Sequence, residues 1–375
     1  MHANPCTHAR SCVLVPVYVR GPAFTLAVSP ALSLHTQRKN TCTRTQLISC
    51  RIVFVFMKIG LQIPNFTFPK GPKGFAKDIK DIVTTAERAG FYSVWVMDHF
   101  FQLGSEGGLL LGPAEDDMHE GYSLLSHIAA LTRKVKLGTL VTGNIYRHPG
   151  VLVKTATTLD VLSKGRAYLG IGAGWFERES VGLGIPYYNW KIRFEMLEET
   201  LQIAKQMWSN NNGEFMGNHY KLKETLCSPQ PLQRPHPPIL IGGMGPKKTL
   251  RLVAKYADAC NLFTRGGLGL IKDSLTILKR HCDDVGRPFS QIEKTTLGSV
   301  HLGHSELPDF VESKRRDGTS YRTPIMKSAE SIIEYLKELS KIGIEHAIIN
   351  MRYPLDKYKP LEIFQNEIIP AVSDL

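Results

Sequence analysis

The chain has 375 residues, 43% of them hydrophobic, with 46 basic and 34 acidic side chains and a formal charge of +12. Six of those charge units come from residues 1–56, which contain no acid. The balance left from Met57 onward is too even for a nucleic-acid surface, and no stretch reaches the ~18 uninterrupted apolar residues of a membrane span.

Residues 1–56 read differently from the rest. They hold Cys6, Cys12, Cys42 and Cys50, and prolines at 16, 22 and 30 interrupt any amphipathic helix. Their acid-poor, Arg- and Ser/Thr-containing character suits an organelle leader. The leading expectation, however, is a mis-assigned start with translation beginning at Met57, directly before the first strand; a targeting leader and a functional extension are the alternatives, and the segment is expected to be unstructured. The later cysteines, Cys227, Cys260 and Cys282, occur singly without metal-ligand spacing. They fit reduced thiols in a cytoplasmic protein. No metal site is expected, since His119 and His127 near Asp116 and Asp117 suit a solvated loop and helix face.

From Met57 onward, short apolar runs alternate with longer helical patterns. The runs are KIGLQI from Lys58, SVWVM from Ser93, KLGTLV from Lys136, RAYLGI from Arg166, PILIGG from Pro238, ACNLF from Ala259, TTLGSVHL from Thr295 and HAIINM from His346. Most are continuously apolar, as parallel strands buried on both faces should be. After the first run, Ile79, Ile82, Val83 and Ala86 share one helical face and Gly90 supplies the stop. This cadence predicts a single (β/α)8 TIM barrel over residues 57–375, with insertions after strands 2, 4 and 7, at 102–121, 186–237 and 305–322. A doubly wound sheet with a second lobe is the competing architecture.

In such a barrel the chemistry belongs to the loops after the strands. Asp98 and His99 end the second strand. Histidine titrates near neutrality and an adjacent carboxylate can orient it, provided the strand has ended by Asp98 and the side chains converge. The same pair also suits a purely structural strand end. Leu140, Val141 and Thr142 follow the third strand, and Gly174 and Trp175 follow the fourth. Trp175 offers a flat wall for a conjugated ring, although it suits a core position equally. Glu177 and Glu179 then suit the start of a helix through its dipole alone. Gly242, Gly243 and Met244 end the fifth strand. Glycines there let backbone approach a ligand, and the helix that follows offers free N–H groups to a phosphate. A tight turn with no ligand reads the same way. The pattern is not the GxGxxG dinucleotide fingerprint.

At these positions the sequence resembles the bacterial luciferase-like superfamily of flavin and deazaflavin enzymes, specifically its coenzyme F420-dependent oxidoreductases. The resemblance lies in MKIGLQIP at Met57, GFYSVWVMDHF at Gly90, the stretch from Val135 through Glu179, and PPILIGGMGPKKTLRLVAKYADACN at Pro237. It implies a deazaflavin or flavin ring in the barrel mouth and a phosphate held by Gly242, Gly243 and Met244. It places Asp98 and His99 beside the ring, and it implies a non-prolyl cis bond between Leu140 and Val141. It also implies a homodimer. The glucose-6-phosphate dehydrogenases of this group carry Glu and Asn where this chain has Trp175 and Arg178, which sets it apart from their sugar-phosphate chemistry.

The expected activity is hydride transfer between F420 and a small organic substrate. His99 is the expected proton donor or acceptor, Asp98 orients it or bonds the ring, and Trp175 packs beside the reacting centre. Cations for the oligoglutamate tail of F420 are sought among Arg147, His148, Lys154, Arg178 and Arg193. The alternatives are an FMN-dependent monooxygenase and, outside catalysis, a flavin-binding protein without turnover.

Overall fold

The computed structural model describes residues 57–104, 112–302, 310–314, 320–351 and 358–375. Residues 1–56, expected to stand apart from the barrel, lie outside the described residues, as do parts of the segments 102–121 and 305–322.

In chain order the elements are β1 (Lys58–Ile63), α1 (Gly71–Ala89), β2 (Ser93–Val96), α2 (Gly121–Leu131), β3 (Lys136–Thr139), its short continuation β4 (Thr142–Gly143) and α3 (Pro149–Leu162). They continue with β5 (Leu169–Gly172), α4 (Glu177–Gly182), α5 (Trp190–Met207), β6 (Phe215–Met216), β7 (Lys221–Leu222), β8 (Ile239–Gly242), α6 (Thr249–Tyr256), β9 (Ala259–Phe263) and α7 (Gly267–Asp284). The last are β10 (Glu293–Val300), β11 (Phe310–Lys314), β12 (Ser320–Pro324), α8 (Ala329–Lys341), β13 (His346–Met351), α9 (Lys359–Ile363) and α10 (Ile369–Val372).

The large sheet runs β3-β2-β1-β13-β10-β9-β8-β5-β4, and every pairing within it is parallel. Its ends meet: the Leu137 N–H donates to Arg166 O at 2.9 Å and the Tyr168 N–H to Leu137 O at 2.7 Å, so β3 bridges to the residues entering β5. The result is a TIM barrel. All eight apolar runs of the sequence supply its staves, because only a strand covered on both faces can be continuously apolar. Helix α1 buries Ile79, Ile82, Val83 and Ala86 and stops at Gly90, whose φ is 93°, so periodicity and stop signal act together as expected.

Two antiparallel hairpins interrupt the βα cadence. β6 and β7 pair within the connection from β5 to β8, where EFMGNHYKLKE predicts a hairpin. β11 and β12 pair in the connection from β10 to α8, where the sequence shows no comparable signal.

The main core lies between strands and helices. Inside the barrel a second layer of Trp95, Tyr168, Leu240 and Ile348 separates the two ends. Beneath it, at the strand starts, is a buried polar cluster. Glu293 takes a salt bridge from Lys58 at 2.7 Å and a hydrogen bond from the Tyr168 hydroxyl at 3.2 Å. His346 Nδ1 stands 3.6 Å away, and its Nε2 is 2.9 Å from Ser93 Oγ. Burial pushes the Glu293 carboxyl up, but His346 and Lys58 outweigh it and hold the pKa at about 2. Among the described residues, no helix is long and apolar enough to cross a membrane.

Candidate active site

Above the Trp95 layer, at the C-terminal ends of the strands, the barrel opens into a cavity of about 900 Å³. Its size and mixed lining are those of a site for a small molecule or cofactor. Of the residues expected to serve catalysis or cofactor binding, His99, Leu140, Val141, Thr142, Gly174, Trp175, Gly242, Gly243 and Met244 all line it. Asp98 does not.

The fates of Asp98 and His99 diverge within one step along the chain. Asp98 is completely buried and receives both guanidinium arms of Arg147, at 2.6 and 2.9 Å. Thr142 Oγ1 donates to the same carboxylate at 2.7 Å. Arg147 also pairs with Glu120, whose side chain caps α2 by accepting from the Tyr122 and Ser123 N–H groups. The expectation that Asp98 orients His99 is therefore corrected: its hydrogen bonds go to Arg147 and Thr142, which tie the end of β2 to β4 and, through Arg147 and Glu120, to α2. Such a bidentate pair is strong and directional.

His99 instead finds Glu179. Its Nδ1 lies 2.6 Å from Glu179 Oε1, and the carboxylate is completely buried. Glu179 also accepts from the Phe100 N–H at 2.6 Å, from the Phe101 N–H at 3.2 Å and from the Tyr146 hydroxyl. Burial pushes the Glu179 carboxyl up, but the hydrogen bonds from His99, Tyr146 and Phe100 win and hold it below the usual carboxylate range. An ionised Glu179 fixes Nδ1 as a donor and leaves Nε2 to serve a molecule in the cavity. Glu179 was expected to serve only the helix dipole. Its partner lies 80 positions away in the chain, and local sequence carries no sign of that.

Trp175 stands edge-on to the His99 ring, with centroids 5.7 Å apart and planes at 76°. Phe176 packs against the same ring at 5.8 Å. Arg193, buried on α5, donates to Gly174 O at 2.6 Å and places its guanidinium 4.1 Å from the Tyr187 ring and 4.2 Å from the Trp190 ring. It pins the turn that carries Trp175.

Just after β3, the strand beside β2, the Leu140–Val141 bond is cis, as the family resemblance implies. The Val141 methyls lie against Gly242, where an added Cβ would come within 3.0 Å of them. Gly243 has φ +117°, and its N–H donates to Asn261 O at 3.0 Å. This conformation suits glycine alone. Helix α6 begins just beyond with no side chain capping it, and Thr249 of its first turn lines the cavity. The Leu250 N–H of its first turn donates back to Gly245 O at 3.0 Å, and the start of the helix carries the positive end of its dipole. Gln62, buried below the cis bond, donates to Leu140 O at 3.2 Å and accepts from Asn350 at 2.8 Å.

The cations sought for an acidic tail are placed elsewhere. Arg147 is bound to Asp98 and Glu120, and Arg193 is buried on Gly174. Lys154 donates to Ser228 O, Arg178 pairs with Glu115 at 3.3 Å, and His148 caps α3. Arg265 and His301, not anticipated, line the cavity instead.

A parallel barrel with a cradled cavity at its strand ends defines an enzyme-like ligand-binding barrel. Residues 57–307 match the family model described as luciferase-like monooxygenase, and the chain belongs to that family. It is 28% identical over 282 residues to the F420-dependent glucose-6-phosphate dehydrogenase of Amycolatopsis mediterranei, covering 73% of this chain and 76% of the relative. It is also 28% identical over 207 residues to the FMNH(2)-dependent dimethylsulfone monooxygenase of Pseudomonas putida, covering 55% of this chain and 52% of the relative. Among solved structures, an F420-dependent secondary alcohol dehydrogenase in complex with an F420-acetone adduct shares the fold with a TM-score of 0.67. Its identity is 20%, and the match covers 84% of this chain and 99% of that one.

Proposed function

We propose that the protein is an F420-dependent oxidoreductase that transfers a hydride between the deazaflavin and a small organic substrate. The observation that carries this reading is the His99–Glu179 pair on the wall of a cavity that is also lined by Gly242, Gly243 and Met244. The residues present fit the cofactor: Gly243, at φ +117°, brings backbone without a side chain to the cavity wall, and α6 begins nearby with no side-chain cap. Gly243 would let the phosphate approach the backbone, Met244 and Thr249 would hold it, and Leu140, Val141 and Thr142 would back the ring. When bound, F420 supplies or accepts the hydride.

The chain's own groups do the rest. Nε2 of His99 accepts the proton of an alcohol in one direction and returns it to a carbonyl oxygen in the other. Glu179 stabilises the imidazolium that forms meanwhile. Trp175, held by the pinned turn, keeps water from the His99 ring.

An FMN-dependent monooxygenase is the second reading, favoured by the likeness to the dimethylsulfone monooxygenase and by a glycine-lined wall beside the start of α6 that suits a flavin phosphate equally. Parallel titration of the full chain with F420 and FMN, followed by tryptophan fluorescence, separates the two. Tight F420 binding with weak FMN binding supports the first; the reverse moves the protein to the second. Binding of either with no redox change on any substrate points to a flavin-binding protein without turnover.

We further propose a cytoplasmic homodimer. The buried free thiols of Cys227, Cys260 and Cys282 suit a reducing compartment. On α3, Val151 and Leu162 are exposed, and Leu226 and Leu232 are exposed in a segment tied to α3 through Lys154–Ser228 and Asp160–Leu232 hydrogen bonds. Light scattering on the purified protein tests the dimer; a monomeric mass at micromolar concentration refutes it.

A further inference from the structure

The wall beside His99 carries more information than the reaction type. Trp175 stands against the imidazole on the cavity wall, with the buried Phe176 behind it, and Met97 and Leu103 line the cavity from the β2 side. Trp190 and Phe194, stacked with centroids 6.0 Å apart, extend this surface along α5. Among the described residues the lining contains no aspartate, glutamate or lysine. Its cationic members other than His99 are Arg265, just after β9, and His301, just after β10. Strand order puts β9 across the barrel from β2 and β10 next to β9, so these cations stand away from His99. The nearest strong cation on the His99 side, Arg193, is buried on Gly174 and the Tyr187 and Trp190 rings.

A carboxylate or phosphate brought against this wall would lose its water and meet no lysine or arginine beside it among the described lining residues, and burial of an unpaired charge is strongly unfavourable. A flat uncharged body would instead exchange water for indole and phenyl faces. We propose that the substrate handled beside His99 is an uncharged, apolar ketone, or in the reverse direction the matching secondary alcohol, and not a sugar phosphate or carboxylate. This rests on the hydride-transfer reading. In the reducing direction the carbonyl carbon takes a hydride from reduced F420, which is left oxidised. The carbonyl π pair moves to oxygen, which takes the proton from His99 Nε2 and yields the alcohol; His99 is reprotonated from solvent.

The test measures affinity by ligand-detected saturation-transfer NMR on the full chain, with and without F420. The probes are 4-tert-butylcyclohexanone, its near-isosteric acid 4-oxocyclohexanecarboxylate, and glucose 6-phosphate. Turnover with reduced F420 is followed for the two ketones, and with oxidised F420 for the sugar phosphate. The expected result is at least about 100-fold preference for the tert-butyl ketone over either anion in binding, and in turnover where F420 binds. Trp175→Ala should weaken the tert-butyl ketone about tenfold and leave the carboxylate unchanged, and Trp175→Phe should restore most of the loss. Equal or tighter binding of the carboxylate or of glucose 6-phosphate overturns the proposal, whether or not F420 binds. A protein that ranks the probes as expected but fails to bind F420 refutes the hydride-transfer reading while leaving the ligand class standing.

Discussion

Two buried histidine–glutamate pairs occupy opposite ends of the same barrel, and they have opposite fates. At the strand starts His346 faces Glu293, which Lys58 and Tyr168 also hold, beneath the Trp95 layer and away from the cavity. At the strand ends His99 is held by Glu179 and lines the cavity. Residue type does not distinguish the pairs; access does. The lower set stands at the strand starts, outside the cavity lining, while the upper set places an imidazole on the cavity wall. The same lesson separates Asp98 from His99, adjacent in the chain yet one locked to Arg147 and the other open to the mouth.

The largest expected effect belongs to a buried charge with no part in the chemistry. Arg147→Met leaves the Asp98 carboxylate unpaired and should cost about 3–5 kcal/mol of stability in chemical denaturation. A change below about 1 kcal/mol would show that Asp98 is not held as an ion.

Glu293→Gln probes the lower pair. The folded pKa near 2 lies below the ordinary carboxylate value of 4.5, so its contribution is full above about pH 4.5 and is lost as pH falls toward 2. The variant should lose about 3 kcal/mol at pH 7 and progressively less in acid, with turnover unchanged. A turnover loss matching that of His99 variants would erase the distinction between the two ends.

His99→Ala should lower turnover by about 100-fold or more while leaving F420 affinity nearly intact. Full activity would remove His99 from proton transfer. Glu179→Gln keeps the shape of the pair but not its charge, so turnover should fall on the order of tenfold with KM little altered. An equal loss in KM alone would mean that Glu179 shapes binding and not the proton step.

The smallest effect tests the proposed phosphate site. Gly243→Ala forces a side chain into φ +117° and should weaken F420 binding roughly fivefold in the fluorescence titration, about 1 kcal/mol. Unaltered affinity would place the phosphate elsewhere.

Much of this molecule is legible in one dimension. The eight apolar runs, the α1 face with its Gly90 stop, and the glycine-rich end of the fifth strand are local patterns, set by hydrogen-bond periodicity and by the conformations glycine allows. Residues at strand ends converge in any parallel barrel, so His99, Trp175 and Gly243 could be assigned to one cavity from their positions alone. Pairing is another matter. Glu179 meets His99 across 80 positions, Arg147 meets Asp98 across 49, and Glu293 meets Lys58 across 235. A carboxylate on a helix or strand looks the same in sequence whether it caps, clamps or orients. Only closure of the barrel decides which cation or imidazole it faces and how much water remains, and those two quantities set its charge state and its role.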